Sequence, residues 1–137
     1  MEKRTMKPGT LLNPVPVVMV SCGNQTETNI ITIAWTGTIN SNPPMTYVAV
    51  QRTQRYTKEF VDAEEMFTLS FFKEDYRKAL NLCGSKSGRD CDKDKEAGLT
   101  PVPAEIVAAP MIEESPVNLE CKVKEILEYP SHDVFVS

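Results

Sequence analysis

Three stretches of this chain hold most of the side chains able to do chemistry. The first runs Trp35-Thr36-Gly37-Thr38-Ile39-Asn40-Ser41-Asn42 and closes at Pro43-Pro44. Its small hydroxyl, amide and glycine residues would, in a loop, offer many backbone N–H groups to an anionic or carbonyl-rich ligand. A long hairpin loop with no ligand has the same composition. The second is Arg52-Thr53-Gln54-Arg55-Tyr56-Thr57-Lys58. Guanidinium and hydroxyl groups at a helix N-terminus suit a phosphate, because the helix dipole and free N–H groups favour negative charge there. A solvated basic turn is the alternative. The third is Cys83-Gly84-Ser85-Lys86-Ser87-Gly88-Arg89-Asp90, followed by Asp92 and Lys93. Two glycines permit unusual backbone angles, and the serines with Lys86 suit phosphate as well; a flexible loop is the plain alternative.

Other chemistries lack their parts. One histidine, His132, and no GxSxG leave no serine-type triad. No HExxH, no CxxC and no His/Asp/Glu cluster at ligand spacing leave no metal centre, so neither catalytic residues nor metal ligands are assigned. Cys83 and Cys91 read as two free thiols on or near a loop, with a redox disulfide or a ligand pair as the sharper alternative. GxGxxG and GxxxxGK[ST] are both missing. A net charge of −4 argues against nucleic acid, which needs a basic footprint. The longest apolar run, Val15 to Val20, is too short to span a bilayer. The N-terminus shows no signal peptide. The expected setting is the cytoplasm, with no membrane partner and thiols reduced.

The elements that position these stretches are mostly strands. Val15 to Cys22 is rich in β-branched residues and ends at the turn dipeptide Gly23-Asn24. Asn29 to Trp35 is nearly continuously apolar, so the two runs predict a hairpin covered on both faces. A polar loop then spans Thr36 to Pro44. Met45 to Val50 predicts a third strand, Tyr56 to Met66 a short helix, and Phe67 to Phe71 a further strand. Asp75 suits the N-cap of a helix over Tyr76 to Cys83, stopped by Gly84. Ser85 to Lys95 reads as a loop and Leu99 to Pro110 as extended chain. Val117 to Leu127 alternates as one long half-exposed strand, and Val134 to Val136 begins another. About six strands and two short helices, with several strands before the first helix, predict a mainly β barrel or sandwich. At 137 residues it is a single domain, 1–137.

In this order and spacing the segments resemble the flavin-reductase-like family, and most closely its flavoredoxin-type branch. KPGTLLNPVPVVMVSCG resembles the family's opening and NIITIAWTGTINSNPPMTYVAVQRTQRYT its central flavin-binding region. FTLSFF, CGSKSGRDCDK and LTPVPAEIVAAPMIEESPVNLECKVKEILEYPSHDVFV follow, so nearly the whole chain is covered. The resemblance implies a Greek-key FMN-binding split β-barrel that works as a homodimer with FMN near the interface. It implies electrons passing from NADH or NADPH through the flavin to a flavin, a ferric complex or a redox partner protein. An FMN electron carrier without its own nicotinamide site is the alternative. Carried over, Trp35, Thr36, Gly37, Thr38 and Ser41 would line the flavin ring and ribityl chain. Arg52, Tyr56 and Thr57 would hold the 5′-phosphate. Ser85, Ser87 and Lys93 would lie on a loop closing over the cofactor, and His132 would stand near the ring or serve a structural hydrogen bond. Relatives continue past the position of Ser137 with a further strand, so the resemblance also implies a shortened last strand and a barrel that has lost FMN as a third reading.

Overall fold

The structure, a computed structural model, describes residues 1–24, 26–54, 57, 61 and 65–137. Two antiparallel four-stranded sheets enclose one core. The first has the order β2-β1-β5-β8, built from β1 (Val18–Gly23), β2 (Thr28–Ile33), β5 (Met66–Phe71) and β8 (Val117–Lys122). The second has the order β3-β4-β10-β9, built from β3 (Thr36–Ser41), β4 (Pro44–Gln51), β9 (Glu125–Glu128) and β10 (His132–Val136). A two-residue ladder of β6 (Pro101–Val102) and β7 (Met111–Ile112) lies outside them. The helices are α1 (Arg77–Ser85) and α2 (Lys93–Ala97).

The predicted hairpin forms as β1 and β2, with Val18 opposite Ile33 and Gly23 opposite Thr28. Gly23 turns the chain at φ +99°, where a Cβ would run into the Glu27 carbonyl. The barrel core takes one side of each strand: Val18, Val20, Ile31, Ile33, Phe67 and Leu69 meet Val48, Val50 and Phe135. The other face of the first sheet is covered too, where Met19 and Ile30 pack against Ala79 and Cys83 of α1, with Leu99 and Ile112. This double cover explains why every residue of β1 is buried and why its sequence is apolar without alternation. Burying one such side chain contributes roughly 1.5–3 kcal/mol.

Several elements differ from the sequence reading. Thr36 to Ser41 is a strand, not a loop; it pairs with β4, with a register shift between Thr38 and Asn40. Threonine suits a pleated edge strand. The Thr36 hydroxyl donates to the Tyr47 carbonyl (2.6 Å) and the Thr46 hydroxyl to that of Gly37 (2.7 Å). The single long strand over Val117 to Leu127 is two strands in different sheets, turning at Val123-Lys124. Alternation breaks at the corner, where Lys124-Glu125 are both polar and Ile126-Leu127 both apolar, a mark that the single-strand reading passed over. Asp75 lies in a 3-10 turn (Glu74–Tyr76) and caps nothing, and α1 runs through Gly84 instead of stopping there. A Cβ on Gly84 would sit 3.3 Å from Thr32 Cβ, so glycine sets how closely α1 approaches β2. The expected loop over Ser85 to Lys95 contains the start of α2, whose N-cap Asp92 accepts a hydrogen bond from the Lys95 N–H. Of the helix expected over Tyr56 to Met66, Thr57 and Val61 are helical and buried, while Met66 opens β5. Tyr56 and most of that segment lie outside the described residues. Among the described residues, no helix is long and apolar enough to cross a membrane.

Candidate functional site

β2 is an edge strand of the first sheet, and a cleft of about 320 Å3 lies beside it. Asn29 and Ile31 of β2 form one wall. Thr53, Gln54 and Thr57 form a second, and Cys83 to Arg89 with Lys93 the third. Four hydroxyl side chains line it (Thr53, Thr57, Ser85, Ser87) together with three cations (Lys86, Arg89, Lys93). Among the described residues, no carboxylate does. In a chain of net charge −4 this is a local reversal of sign, and cationic and hydroxyl donors converging there suit an anionic ligand, although Lys86 also pairs with Glu96 at 2.7 Å. Arg89 and Lys93 line a second cavity as well, which carries the carboxylates Glu27, Asp90, Asp92 and Asp94.

Two buried groups give the cleft its character. Lys93 is 5% exposed, and its ammonium donates to the carbonyls of Ile30 (2.9 Å) and Cys83 (3.1 Å). Burial holds its pKa below the ordinary lysine value, partly countered by the neighbouring thiols and Asp94. Asn29 is 4% exposed and donates to the Thr57 hydroxyl at 2.8 Å, while its Oδ1 has no partner. Whichever way the amide is turned, one end bonds Thr57 and the other is left for a ligand or water. An orphaned buried amide and a buried ammonium in the wall of a cleft lined by hydroxyls and cations fit a phosphate-bearing, carbonyl-bearing cofactor.

The Trp35 ring lies against the His132 ring, with centroids 4.5 Å apart and planes at 30°. Trp35 is 42% exposed, and His132 Nδ1 is 2.8 Å from the Ser131 hydroxyl. His132 faces Gln51 in the β4–β10 ladder, and Gln51 opens the turn that presents Thr53 and Gln54 to the cleft. The ring pair and the cleft therefore stand on either side of one turn.

The residues expected at the site are divided by the fold. Thr57, Ser85, Ser87 and Lys93 share the cleft, and Trp35 and His132 share the ring pair. Thr36, Gly37 and Thr38 line a different cavity of about 880 Å3, shared with Val18, Leu69 and Phe71, because β3 continues away from Trp35 along the second sheet. Ser41 pairs with Pro44 at the exposed end of the β3–β4 hairpin. Arg52 is already engaged: its guanidinium donates to fully buried Asp133 at 3.0 and 3.1 Å. Tyr56 lies outside the described residues. Thr53 and Gln54 fall in the second stretch singled out in the sequence but were given no individual role, and Asn29 was read only as the start of a strand. The one available signal was an amide at position 29, where the alternation of Ile31 and Ile33 calls for an apolar, barrel-facing residue.

Comparison with known proteins agrees with this geometry. The flavin reductase like domain family matches residues 11–137. Flavoredoxin from Methanosarcina acetivorans is 32% identical, with a TM-score of 0.90 over 99% of this chain and 72% of that one. Flavoredoxin of Desulfovibrio vulgaris (Miyazaki F) is 30% identical, with a TM-score of 0.88 over 98% of this chain and 73% of that one. An uncharacterized protein of Pyrococcus abyssi is 29% identical over 126 residues, 92% of this chain and 72% of its own. The chain spans between 48% and 72% of the length of the curated relatives it matches. With its two sheets and outer helices, and with the family match over residues 11–137, the chain belongs to the flavin reductase-like family.

Proposed function

We propose that this protein binds FMN in the β2 cleft and works as a redox protein, taking electrons from NADH or NADPH and passing them to a flavin, a ferric complex or a protein acceptor. The observation that carries the reading is the convergence of Lys86, Arg89 and Lys93 with four hydroxyl side chains and no described carboxylate. Ser85, Ser87, Arg89 and Lys93 would hold the phosphate, and the Trp35–His132 pair would flank the ring. Bound FMN supplies reversible one- and two-electron chemistry that no side chain here offers. The chain's own part is to bind and orient, and to set a positive field in which added negative charge is stabilised. The cytoplasm is the setting this reading assumes.

A second reading, an electron carrier without a nicotinamide site, is favoured by the two flavoredoxins at 30% and 32% identity. We further propose a homodimer through the outer face of the second sheet. There Tyr47, Ala49, His132 and Val134 alternate with the core-facing Val48, Val50, Asp133 and Phe135.

The test begins with a melting curve. Ligand at about one hundred times its Kd adds about 2.7 kcal/mol, so FMN should raise Tm and shift its own absorbance. No shift in either would end the FMN reading and leave the barrel as a binding module. Anaerobic NADH and NADPH are then added to the FMN complex. Bleaching of the flavin supports the nicotinamide route, whereas bleaching by a reduced protein partner alone supports the carrier.

A further inference from the structure

The Gly84–Asp90 segment, most of which walls the cleft, is bracketed by two thiols. Cys83 is fully buried in the last turn of α1 and lines the cleft. Cys91 is partly exposed, lines the acidic cavity on the other side of the wall and precedes the N-cap of α2. The chain between them folds back on itself. The Cys91 thiol lies 3.6 Å from the Ser87 carbonyl, four residues on from Cys83. Lys93, two residues past Cys91, donates to the Cys83 carbonyl at 3.1 Å. Lys86 at the C-cap of α1 pairs with Glu96 of α2 at 2.7 Å, holding the helix ends together. Gly84 and Gly88 lie inside the bracketed segment.

We propose that Cys83 and Cys91 are a dithiol couple that closes to an intrachain disulfide and staples this wall of the cleft to α1. The staple would act on the flavin site proposed above, but its formation does not require flavin. A hydroperoxide is the oxidant. Attack by the partly exposed Cys91 sulfur on the peroxide gives Cys91 sulfenic acid and releases an alcohol, or water from hydrogen peroxide. The Cys83 sulfur then displaces the sulfenic oxygen as water, forming the S–S bond. In total, two thiols and one peroxide give one disulfide and two small hydroxylic products. Cys91, the more exposed of the two, takes the first step; burial pushes the Cys83 thiol up to about 11, which slows its attack as a thiolate and makes closure the slower step. Closure requires Cα atoms within about 7 Å, and the contacts of Cys91 with Ser87 and of Lys93 with Cys83 draw the two ends of the segment toward one another. The other thiols are placed to stay out of the reaction. Cys22 is fully buried, raised to about 12 by burial, and donates to the Asn29 and Thr57 carbonyls. Cys121 is buried and donates to the Leu119 carbonyl.

The experiment treats the full, FMN-free chain with hydrogen peroxide under native conditions. Thiols are then counted in denaturant and the tryptic peptides mapped. The expected result is a fall from four thiols to two, with the peptide of residues 79–86 joined to that of 90–93, reversed by dithiothreitol. C83S and C91S should each form no internal link. Four surviving thiols, oxidation of Cys91 without a link, or a link between two chains would each overturn the proposal. Because the mapping needs no flavin, a chain that links but fails to bind FMN would sink the functional reading and leave the couple standing. Where FMN does bind, its release should be slower from the oxidised chain than from the reduced one. Equal rates would overturn the stapling of the cleft.

Discussion

Lys93 is a costly residue to bury, and its position makes a pH-dependent prediction. Its charge is desolvated against two carbonyls, so its pKa in the fold is lowered from 10.5 mainly by burial. The unfolded chain then binds more protons than the folded one between the lowered value and 10.5. The contribution of Lys93 to stability therefore rises with pH across that window. The buried Cys22, Cys83 and Cys121 thiols, raised by burial, work the other way above about pH 9, so the contribution of Lys93 is read as a difference. Denaturant melts taken up to pH 10.5 should show stability changing less favourably with pH in Lys93→Met than in the wild type. The same variant should bind FMN at least about tenfold more weakly, because a charge-assisted hydrogen bond contributes roughly 1.5–3 kcal/mol. Unchanged affinity would remove Lys93 from the proposed site. At this scale the sequence was only partly legible. Ser85, Ser87 and Lys93 could be picked out because hydroxyls, glycines and a lysine crowd one segment. The partner of Arg52 was not legible, since nothing in its neighbours announces that Asp133, 81 positions later, takes its guanidinium. Asn29 was hidden because one amide in an apolar strand is a weak mark.

The approach of α1 to β2 decides the shape of the cleft at the level of elements. Gly84 sits where a Cβ would press on Thr32, and the Thr32 hydroxyl is tied to the Leu80 carbonyl of the same helix. Gly84→Ala gains about 1 kcal/mol of helix propensity and loses about 1–3 kcal/mol to overpacking. With Thr32 tethered, the loss should prevail by about 1 kcal/mol, read as a lower urea midpoint at constant slope. A higher midpoint would mean that α1 can lift from the sheet. The β1–β2 hairpin was plain from its β-branched runs and the Gly23 turn. β3 was not, since threonine, glycine and asparagine between two strands describe a loop as well as an edge strand. The corner at Val123-Lys124 left a mark in the paired polar Lys124-Glu125 and paired apolar Ile126-Leu127, but the change of sheet did not, because alternation reports which way side chains point and not which sheet a strand belongs to.

Across the whole molecule, one sheet is sheltered and the other is not. The first carries α1 on its outer face, while the second shows Trp35 and half-buried Tyr47, Ala49 and Val134. If that face joins two subunits, light scattering should give twice the chain mass for the wild type and the chain mass for Val134→Lys. A monomeric wild type would refute the dimer. β10 lies between β4 and β9 and, among the described residues, is the last strand in chain order. Its Phe135 closes the core opposite Val48. A ribosome therefore releases β4 about eighty residues before the strand that completes it. During that interval a nascent chain holds half a barrel with its greasy lining open, and chaperones that shield such surfaces have their longest opportunity there.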